Sequence, residues 1–167
     1  AASTCSHLMG ISQNQIVRTL KEFKGIEHRL ESVRTINEVE YINDSKATNI
    51  NSVIVAINTY DQPIVLILGG FNKGANFRLL LPHIKSSHVR DIVSYGDAGG
   101  QINTALGDAV RSVQVTDLSS AVKKAQLMAA PGDIVLLSPG CASYDEFSNF
   151  EERGNHFKSI IKSIAIS

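Results

Sequence analysis

Short runs of apolar residues alternate along the chain with segments in which apolar residues recur every three or four positions. Ile64 to Leu68 and Ile134 to Leu137 are apolar at every position, which is typical of strands covered on both faces. Phe150 to Ile164 carries apolar residues at helical spacing, which indicates a helix with one buried face. The alternation predicts an α/β fold: a Rossmann-like, mostly parallel sheet with helices on both faces.

The other predicted elements follow the same order. Further strands are expected at Val89 to Ser94 and Val113 to Val115, and further helices at Asn49 to Ile57, Phe77 to Ile84, Ala98 to Leu106 and Leu118 to Ala130. Between residues 28 and 43, apolar and polar residues alternate on either side of Asn37-Glu38. This pattern is typical of two antiparallel strands joined by a turn. We therefore expect an antiparallel strand at one edge of the sheet.

The first 25 residues differ from the rest of the chain. Ala1 to Met9 and Gln15 to Phe23 are predicted to form two short helices, with too few large apolar residues for a core of their own. We expect residues 1–25 to be the end of a preceding domain and residues 26–167 to form the α/β domain. The chain starts without methionine and resembles the middle of a helix at that point, so we expect it to be a piece of a longer polypeptide.

The composition of the 167 residues narrows the classes of partner. Lys plus Arg and Asp plus Glu number 16 each, so no basic field favours nucleic acid or an anionic membrane. The longest apolar runs are too short to cross a bilayer. Cys5, Cys141 and five scattered histidines show no metal-ligand spacing, and we expect both thiols to be free. Nucleic acid, membrane and metal are therefore not indicated as partners.

Polar residues cluster after three of the predicted strands, in Asp44 to Asn49, Gly69 to Asn76 and Ser138 to Asn149. Because ligands of open α/β sheets bind beyond the carboxyl ends of the strands, we expect these segments to share one pocket. The first segment leads into a helix, whose free N–H groups and positive dipole end favour an anion. The three segments together predict an anion-binding pocket.

Two of these segments also have a purely structural interpretation. Thr48 or Asn49 would cap the following helix, and Ser143 would cap the last helix, with Arg153 on its polar face. Cys141 would be a small buried residue, and neither it nor Ser143 lies in a nucleophile elbow. Nucleophilic catalysis is therefore not expected.

The remaining segment, Gly69 to Gly74, is rich in glycine but lacks the G-x-x-x-x-G-K-[ST] pattern of a phosphate loop. One interpretation is that its glycines let the backbone approach a ligand while Lys73 points a charge into the pocket. The other is an ordinary turn with a solvated lysine.

Four motifs follow one another along the chain. They are HRLE from His28, YINDSKATN from Tyr41, GG-x-x-KG from Gly69, and SP-x-CAS-x-D-x-F-x-NFE-x-RG from Ser138. Together they resemble the C-terminal domain of the Mur ligase family, and the NDSKATN form resembles the members that add D-glutamate. The resemblance implies that residues 1–25 are the tail of the family's central ATPase domain.

The resemblance implies an ATP-dependent ligase of cytoplasmic peptidoglycan synthesis in bacteria. In the members that add D-glutamate, the L-alanine carboxylate of UDP-N-acetylmuramoyl-L-alanine is phosphorylated, the amine of D-glutamate attacks the acyl phosphate, and ADP and phosphate leave. The matching positions imply that D-glutamate is held by Lys46, Thr48, Lys73, Ser143 and, through its backbone, Phe150. The matching positions also imply that Arg29 and Asp44 contact the nucleotide. The resemblance assigns no catalytic residue and no metal ligand to this chain.

The chemistry of these residues agrees with that assignment. D-Glutamate carries two carboxylates, for which two ammonium groups, hydroxyls and helix N–H donors are the complement. An ionised Asp44 only accepts hydrogen bonds, which suits ribose hydroxyls, and Arg29 would offset phosphate charge. Because this chain contains no phosphate loop, we expect ATP and Mg²⁺ to be bound by the full-length enzyme. We expect that enzyme to be a monomer. This chain alone is expected to bind no cofactor and to be inactive.

Two other interpretations stay open. The chain would be a free-standing module that binds an amino acid or a nucleotide, or a folylpolyglutamate-synthase-like domain that adds L-glutamate to folate. The pair Lys46 and Thr48 in NDSKATN argues against the second. One residue departs from the resemblance, since Gly140 stands where alanine is expected.

Overall fold

The computed structural model describes residues 2–23 and 25–165. In chain order the elements are α1 (Ala2–Leu8), α2 (Gln13–Glu22), β1 (Glu31–Ile36), β2 (Val39–Asn43), α3 (Ile50–Ile57), β3 (Ile64–Gly69), a 3₁₀ turn (Phe77–Leu80), α4 (Leu81–Ser86), β4 (Val89–Tyr95), α5 (Gly99–Leu106), β5 (Arg111–Gln114), α6 (Leu118–Met128), β6 (Ile134–Gly140) and α7 (Phe150–Ser163). Every predicted strand and helix is present with shifted ends, except that the helix predicted at Phe77 to Ile84 divides into the 3₁₀ turn and α4. Ala1 lies outside the described residues.

The six strands form one sheet in the order β1-β2-β6-β3-β4-β5. The β1–β2 pair is antiparallel, and all other neighbouring strands are parallel. Asn37 and Glu38 both have positive φ, 49° and 62°, as in the two-residue turns that match the twist of a hairpin. The predicted mostly parallel sheet with an antiparallel edge strand is therefore confirmed.

Helices cover both faces of the sheet, and successive residues of a strand point to opposite faces. In β3, Leu66 and Leu68 pack in the core that α3 and α5 cover, whereas Val65 and Ile67 pack in the core that α6 and α7 cover. All six residues of β3 are buried. Because both faces are filled with apolar side chains, polar chemistry is confined largely to the strand ends and the loops that follow.

The first two helices lie outside this core. Neither α1 nor α2 contains a buried residue. Ser12 caps α2, and the Gln15 side chain reciprocates, which completes a capping box. Leu20 and Phe23 are exposed. Within the described residues, no helix has both the length and the apolar character required to span a membrane.

Two further elements, β6 and α7, differ from their predicted form. Ser138 to Gly140 continue β6 instead of starting a loop, because Gly140 pairs with Gly69 of β3. The last helix buries Phe157 and Ile161 as expected, but Phe150, Ile160 and Ile164 are only partly buried. Its first turn packs against the loops at the strand ends instead of the sheet, and this places the fully buried Arg153 among them.

Candidate functional site

The loops after β2, β3 and β6 meet at one edge of the sheet. β6 lies between β2 and β3, and all three run parallel, so their carboxyl ends are adjacent. The N–H of Gly140 donates to the carbonyl of Ala47 at 2.8 Å, which joins the first loop to the third. Phe71 and Ala142 exchange backbone hydrogen bonds of 2.9 and 3.1 Å, which joins the second loop to the third. The predicted convergence of three separate segments is therefore observed.

Close packing of the protein backbone explains the pair Gly69-Gly70. Gly70 has a φ of 118°, and a Cβ there would lie 2.3 Å from the carbonyl oxygen of Ala142. A Cβ on Gly69 would lie 2.2 Å from the carbonyl oxygen of Tyr95. These two glycines therefore make room for a neighbouring strand and loop.

Asp44 lies at the end of β2 and is 5% exposed. Its carboxylate accepts hydrogen bonds from Ser138 Oγ at 2.9 Å and from the Leu30 N–H at 3.3 Å. It borders a cleft of about 300 Å³ whose lining includes Arg29 and Lys46. Both predicted nucleotide residues and one predicted glutamate residue thus share one cleft. Burial raises the pKa of Asp44 to about 6, although both hydrogen bonds and Arg29 favour the charged form.

The raised pKa of Asp44 predicts a pH-dependent stability. Because the folded state holds the proton more tightly than the unfolded chain, this group lowers the unfolding free energy as the pH rises from 3.8 to about 6. We expect the Asp44→Asn variant, which cannot ionise, to gain stability relative to the wild type across this window and to keep that advantage at neutral pH. Urea denaturation of both proteins at several pH values tests this, and a constant difference between them would contradict it.

Arg29 is exposed at the rim of this cleft and is positioned by a constrained backbone. Its neighbours His28 and Leu30 have positive φ, 63° and 45°, a conformation that is uncommon outside glycine. Nδ1 of the buried His28 ring lies 3.0 Å from Asn43 Nδ2. The backbone carbonyl of His28 accepts a hydrogen bond from the Lys46 N–H at 3.0 Å. The segment that carries Arg29 is therefore fixed to the loop that carries Lys46.

The two lysines of the predicted site are both exposed and both lie over aromatic rings. Lys46 Nζ is 5.1 Å from the centre of the Phe150 ring, and Lys73 Nζ is 4.9 Å from the centre of the Tyr144 ring. Phe150 and Tyr144 both belong to the segment that follows β6. The two ammonium groups therefore face the same segment from the loops of two different strands.

The three neutral residues of the predicted site belong to the same edge. Thr48 is exposed in the loop after β2, and Ser143 is buried in the loop after β6. Ser143 does not cap the last helix, because Asn149 does so by accepting from the Glu152 N–H at 2.7 Å. Phe150 is the first residue of α7, where a backbone N–H has no partner within the helix.

Arg153 is the residue that the sequence pattern misses. The prediction that it lies on the polar face of α7 is wrong, because it is 0% exposed. Its guanidinium donates to Ser45 Oγ at 3.0 Å and to the carbonyls of Ser45, Cys141 and Ala142 at 2.9 to 3.1 Å. Arg153 therefore ties the loop after β2 to the loop after β6 through neutral oxygens. The following residue, Gly154, is the one local signal that this part of α7 is buried, because a glycine lets the helix pack closely against His28.

These features define a class of protein. The edge presents ammonium groups, hydroxyls and a helix N-terminus, which suit an anionic ligand. The cleft beside it holds a buried carboxylate and an exposed guanidinium, which suit a second ligand that bears hydroxyl groups. Residues 28–141 match the family described as Mur ligase, glutamate ligase domain. The chain therefore belongs to the Mur ligase family.

Curated relatives are similar over nearly the whole chain. Proteins named UDP-N-acetylmuramoylalanine-D-glutamate ligase are 45% identical over 166 residues in Pelotomaculum thermopropionicum, 45% over 167 in Natranaerobius thermophilus and 39% over 165 in Salinibacter ruber. Each match covers 98% of this chain but 36% of the relative. The chain thus spans little more than a third of the length of these relatives.

Solved structures share the fold at low identity. UDP-N-acetylmuramate-alanine ligase from Thermotoga maritima has a TM-score of 0.66 at 13% identity, covering 96% of this chain and 36% of its own. The bifunctional folylpolyglutamate synthase/dihydrofolate synthase from Yersinia pestis has a TM-score of 0.62 at 17% identity, covering 90% and 34%. At these identities the likeness establishes the fold alone.

Proposed function

We propose that the chain is the amino-acid-binding domain of an ATP-dependent ligase that joins D-glutamate to UDP-N-acetylmuramoyl-L-alanine in bacterial peptidoglycan synthesis. One observation carries the proposal: Lys46 and Lys73, on the loops of two strands, both face the segment after β6 that contains Ser143. The names of relatives at 39% to 45% identity support the same substrate.

The proposed ligand complements the donors of the site. Lys46 and Lys73 supply charge for its two carboxylates, Thr48 and Ser143 supply hydroxyls, and the N–H of Phe150 adds a donor at the positive end of α7. A lysine–carboxylate contact at 4 Å is worth ~4 kcal/mol at an effective dielectric constant near 20, but only ~1 kcal/mol in water. We therefore propose that D-glutamate binds tightly only when the rest of the enzyme closes over this edge and excludes water.

The proposed reaction proceeds through an acyl phosphate. ATP transfers its γ-phosphoryl group to the L-alanine carboxylate and leaves as ADP. The neutral amine of D-glutamate then attacks the acyl carbon, the new C–N bond forms as the C–O bond to phosphate breaks, and phosphate and one proton of the amine are released. The part of this chain is to bind and orient D-glutamate. Asp44 accepts from ribose hydroxyls, and Arg29 offsets phosphate charge.

We propose that Mg²⁺ is held elsewhere in the full-length enzyme. Within residues 2–23 and 25–165, no group of three or more His, Cys, Asp and Glu residues is arranged to hold a metal ion. The described residues therefore do not fit the metal.

The proposed boundary between two domains lies where the buried core begins, after the exposed helices α1 and α2. Residues 1–25 would end the central ATPase domain, and residues 26–167 would form the C-terminal domain. The absence of buried residues from α1 and α2, and the start of the family match at residue 28, support this boundary. We propose that the full-length enzyme is a cytoplasmic monomer and that this chain alone lacks ligase activity.

The choice of glutamate enantiomer tests the proposed function. We expect the full-length enzyme to release ADP when given ATP, Mg²⁺, UDP-N-acetylmuramoyl-L-alanine and D-glutamate, and to do so at least about tenfold more slowly with L-glutamate, because a misplaced carboxylate forfeits one charged contact. Equal turnover of the two enantiomers would contradict the proposal. Turnover of L-glutamate with a folate substrate would support the folylpolyglutamate-synthase-like alternative instead.

A further inference from the structure

We infer that Tyr144 is a positioning residue that holds the ammonium group of Lys73 ready for the substrate carboxylate; this inference rests on the proposed function. The Lys73 Nζ lies 4.9 Å from the centre of the Tyr144 ring, within the distance at which a cation is attracted to the face of an aromatic ring. Neither the motif GG-x-x-KG nor the sequence around Ser143 assigns a part to this ring.

Among the residues that the structure describes, the Lys73 side chain makes no hydrogen bond or ion pair, and its ammonium group lies over the Tyr144 ring. Its loop is ordered by the Asn72 side chain, which accepts from the N–H groups of Gly74 and Ala75 at 3.0 and 2.7 Å. These bonds fix the backbone only. A free lysine side chain loses up to about 2 kcal/mol of rotamer freedom when it is immobilised, and a contact made before binding reduces that loss. The ring is thus the group that orients the ammonium.

The same arrangement occurs on the other side of the segment. Lys46 Nζ lies 5.1 Å from the centre of the Phe150 ring. Each of the two lysines proposed to bind a carboxylate therefore lies over an aromatic ring from residues 144–150. Phe150 is a poor choice for testing, because its ring also contacts the buried His28 ring edge-on at 6.2 Å. Tyr144 is 62% exposed, so its replacement leaves the fold intact.

The test compares variants of Tyr144 in the full-length enzyme. Tyr144→Leu is expected to raise the KM for D-glutamate about two- to fivefold, the size of an exposed cation–π contact, with little change in the KM for ATP. Tyr144→Phe keeps the ring face and is expected to restore a KM close to that of the wild type. Leu127→Ala, which removes an exposed apolar side chain on α6, is the control.

A double-mutant cycle separates positioning from a structural effect. If Tyr144 acts through Lys73, the effect of Tyr144→Leu on KM disappears when Lys73 is already alanine. An undiminished effect in that background, or a KM for Tyr144→Phe as high as that for Tyr144→Leu, would overturn the inference.

A spectroscopic measurement keeps this inference separate from the proposed function. The ε-CH₂ protons of Lys73 should show an upfield ring-current shift in the wild type and in Tyr144→Phe, and should lose it in Tyr144→Leu. A normal shift in the wild type would overturn the positioning contact. A wild-type enzyme that shows the shift but releases no ADP with D-glutamate would instead overturn the proposed substrate.

Discussion

Replacing Arg153 by leucine is expected to lower the unfolding free energy by at least about 2 kcal/mol, because two buried carbonyls lose their donor and each unsatisfied group costs ~1–3 kcal/mol. These carbonyls belong to Ser45 and Cys141, whereas that of Ala142 keeps the hydrogen bond from the Phe71 N–H. The loss therefore falls on the two loops that form the proposed glutamate site. We therefore also expect D-glutamate-dependent ADP release to fall below detection. Urea denaturation and the ligase assay measure the two effects.

Two further variants make this prediction specific. Arg153→Lys keeps the charge but not the planar set of donors, so we expect it to recover only part of the stability and activity. Glu151→Gln alters an exposed neighbour on the same helix and should leave both unchanged. A fully stable and active Arg153→Leu protein would mean that the loops hold their arrangement without the guanidinium.

Replacing Lys73 by alanine in the full-length enzyme is expected to raise the KM for D-glutamate about ten- to hundredfold, because a hydrogen bond to a charged group contributes ~1.5–3 kcal/mol. The fold should be unaffected, since Lys73 is exposed and its loop is held by Asn72. A fall in kcat is expected as well if the contact strengthens in the transition state. Steady-state kinetics with D-glutamate as the varied substrate measure both parameters.

The matched control is Lys85→Ala, which removes another exposed positive charge, on α4. It should change neither KM nor kcat. An unchanged KM in Lys73→Ala would show that Lys73 is the solvated turn lysine that the sequence also allows, whereas equal effects of the two variants would point to net charge instead of a specific contact.

Much of the fold follows from local patterns. The runs at Ile64 and Ile134 predict buried strands, and Asn37-Glu38 predicts the hairpin, because these signals are set by residues close together in the chain. The convergence of the polar segments also follows from sequence, since ligand-binding loops of parallel sheets lie at the carboxyl ends of the strands. The insertion of β6 between β2 and β3 does not follow, because strand order depends on packing between distant elements.

Arg153 and Gly70 illustrate what local patterns leave out. An arginine in a helix is usually exposed, and a buried one needs partners. Here the partner Ser45 lies 108 positions away, so no local window of sequence contains all the partners of the buried guanidinium. Gly70 looks like part of a ligand loop, yet the space it leaves is taken by the carbonyl of Ala142. Both residues shape the site by long-range packing, which only the three-dimensional arrangement reveals.

The most direct test of the central claim is a structure of the full-length enzyme crystallised with D-glutamate. We expect the two carboxylates to lie within hydrogen-bonding distance of Lys46 and Lys73, with Ser143 and the Phe150 N–H as neutral donors, so that all three loops contact one ligand. D-Glutamate bound away from this edge, or held by one loop alone, would contradict it.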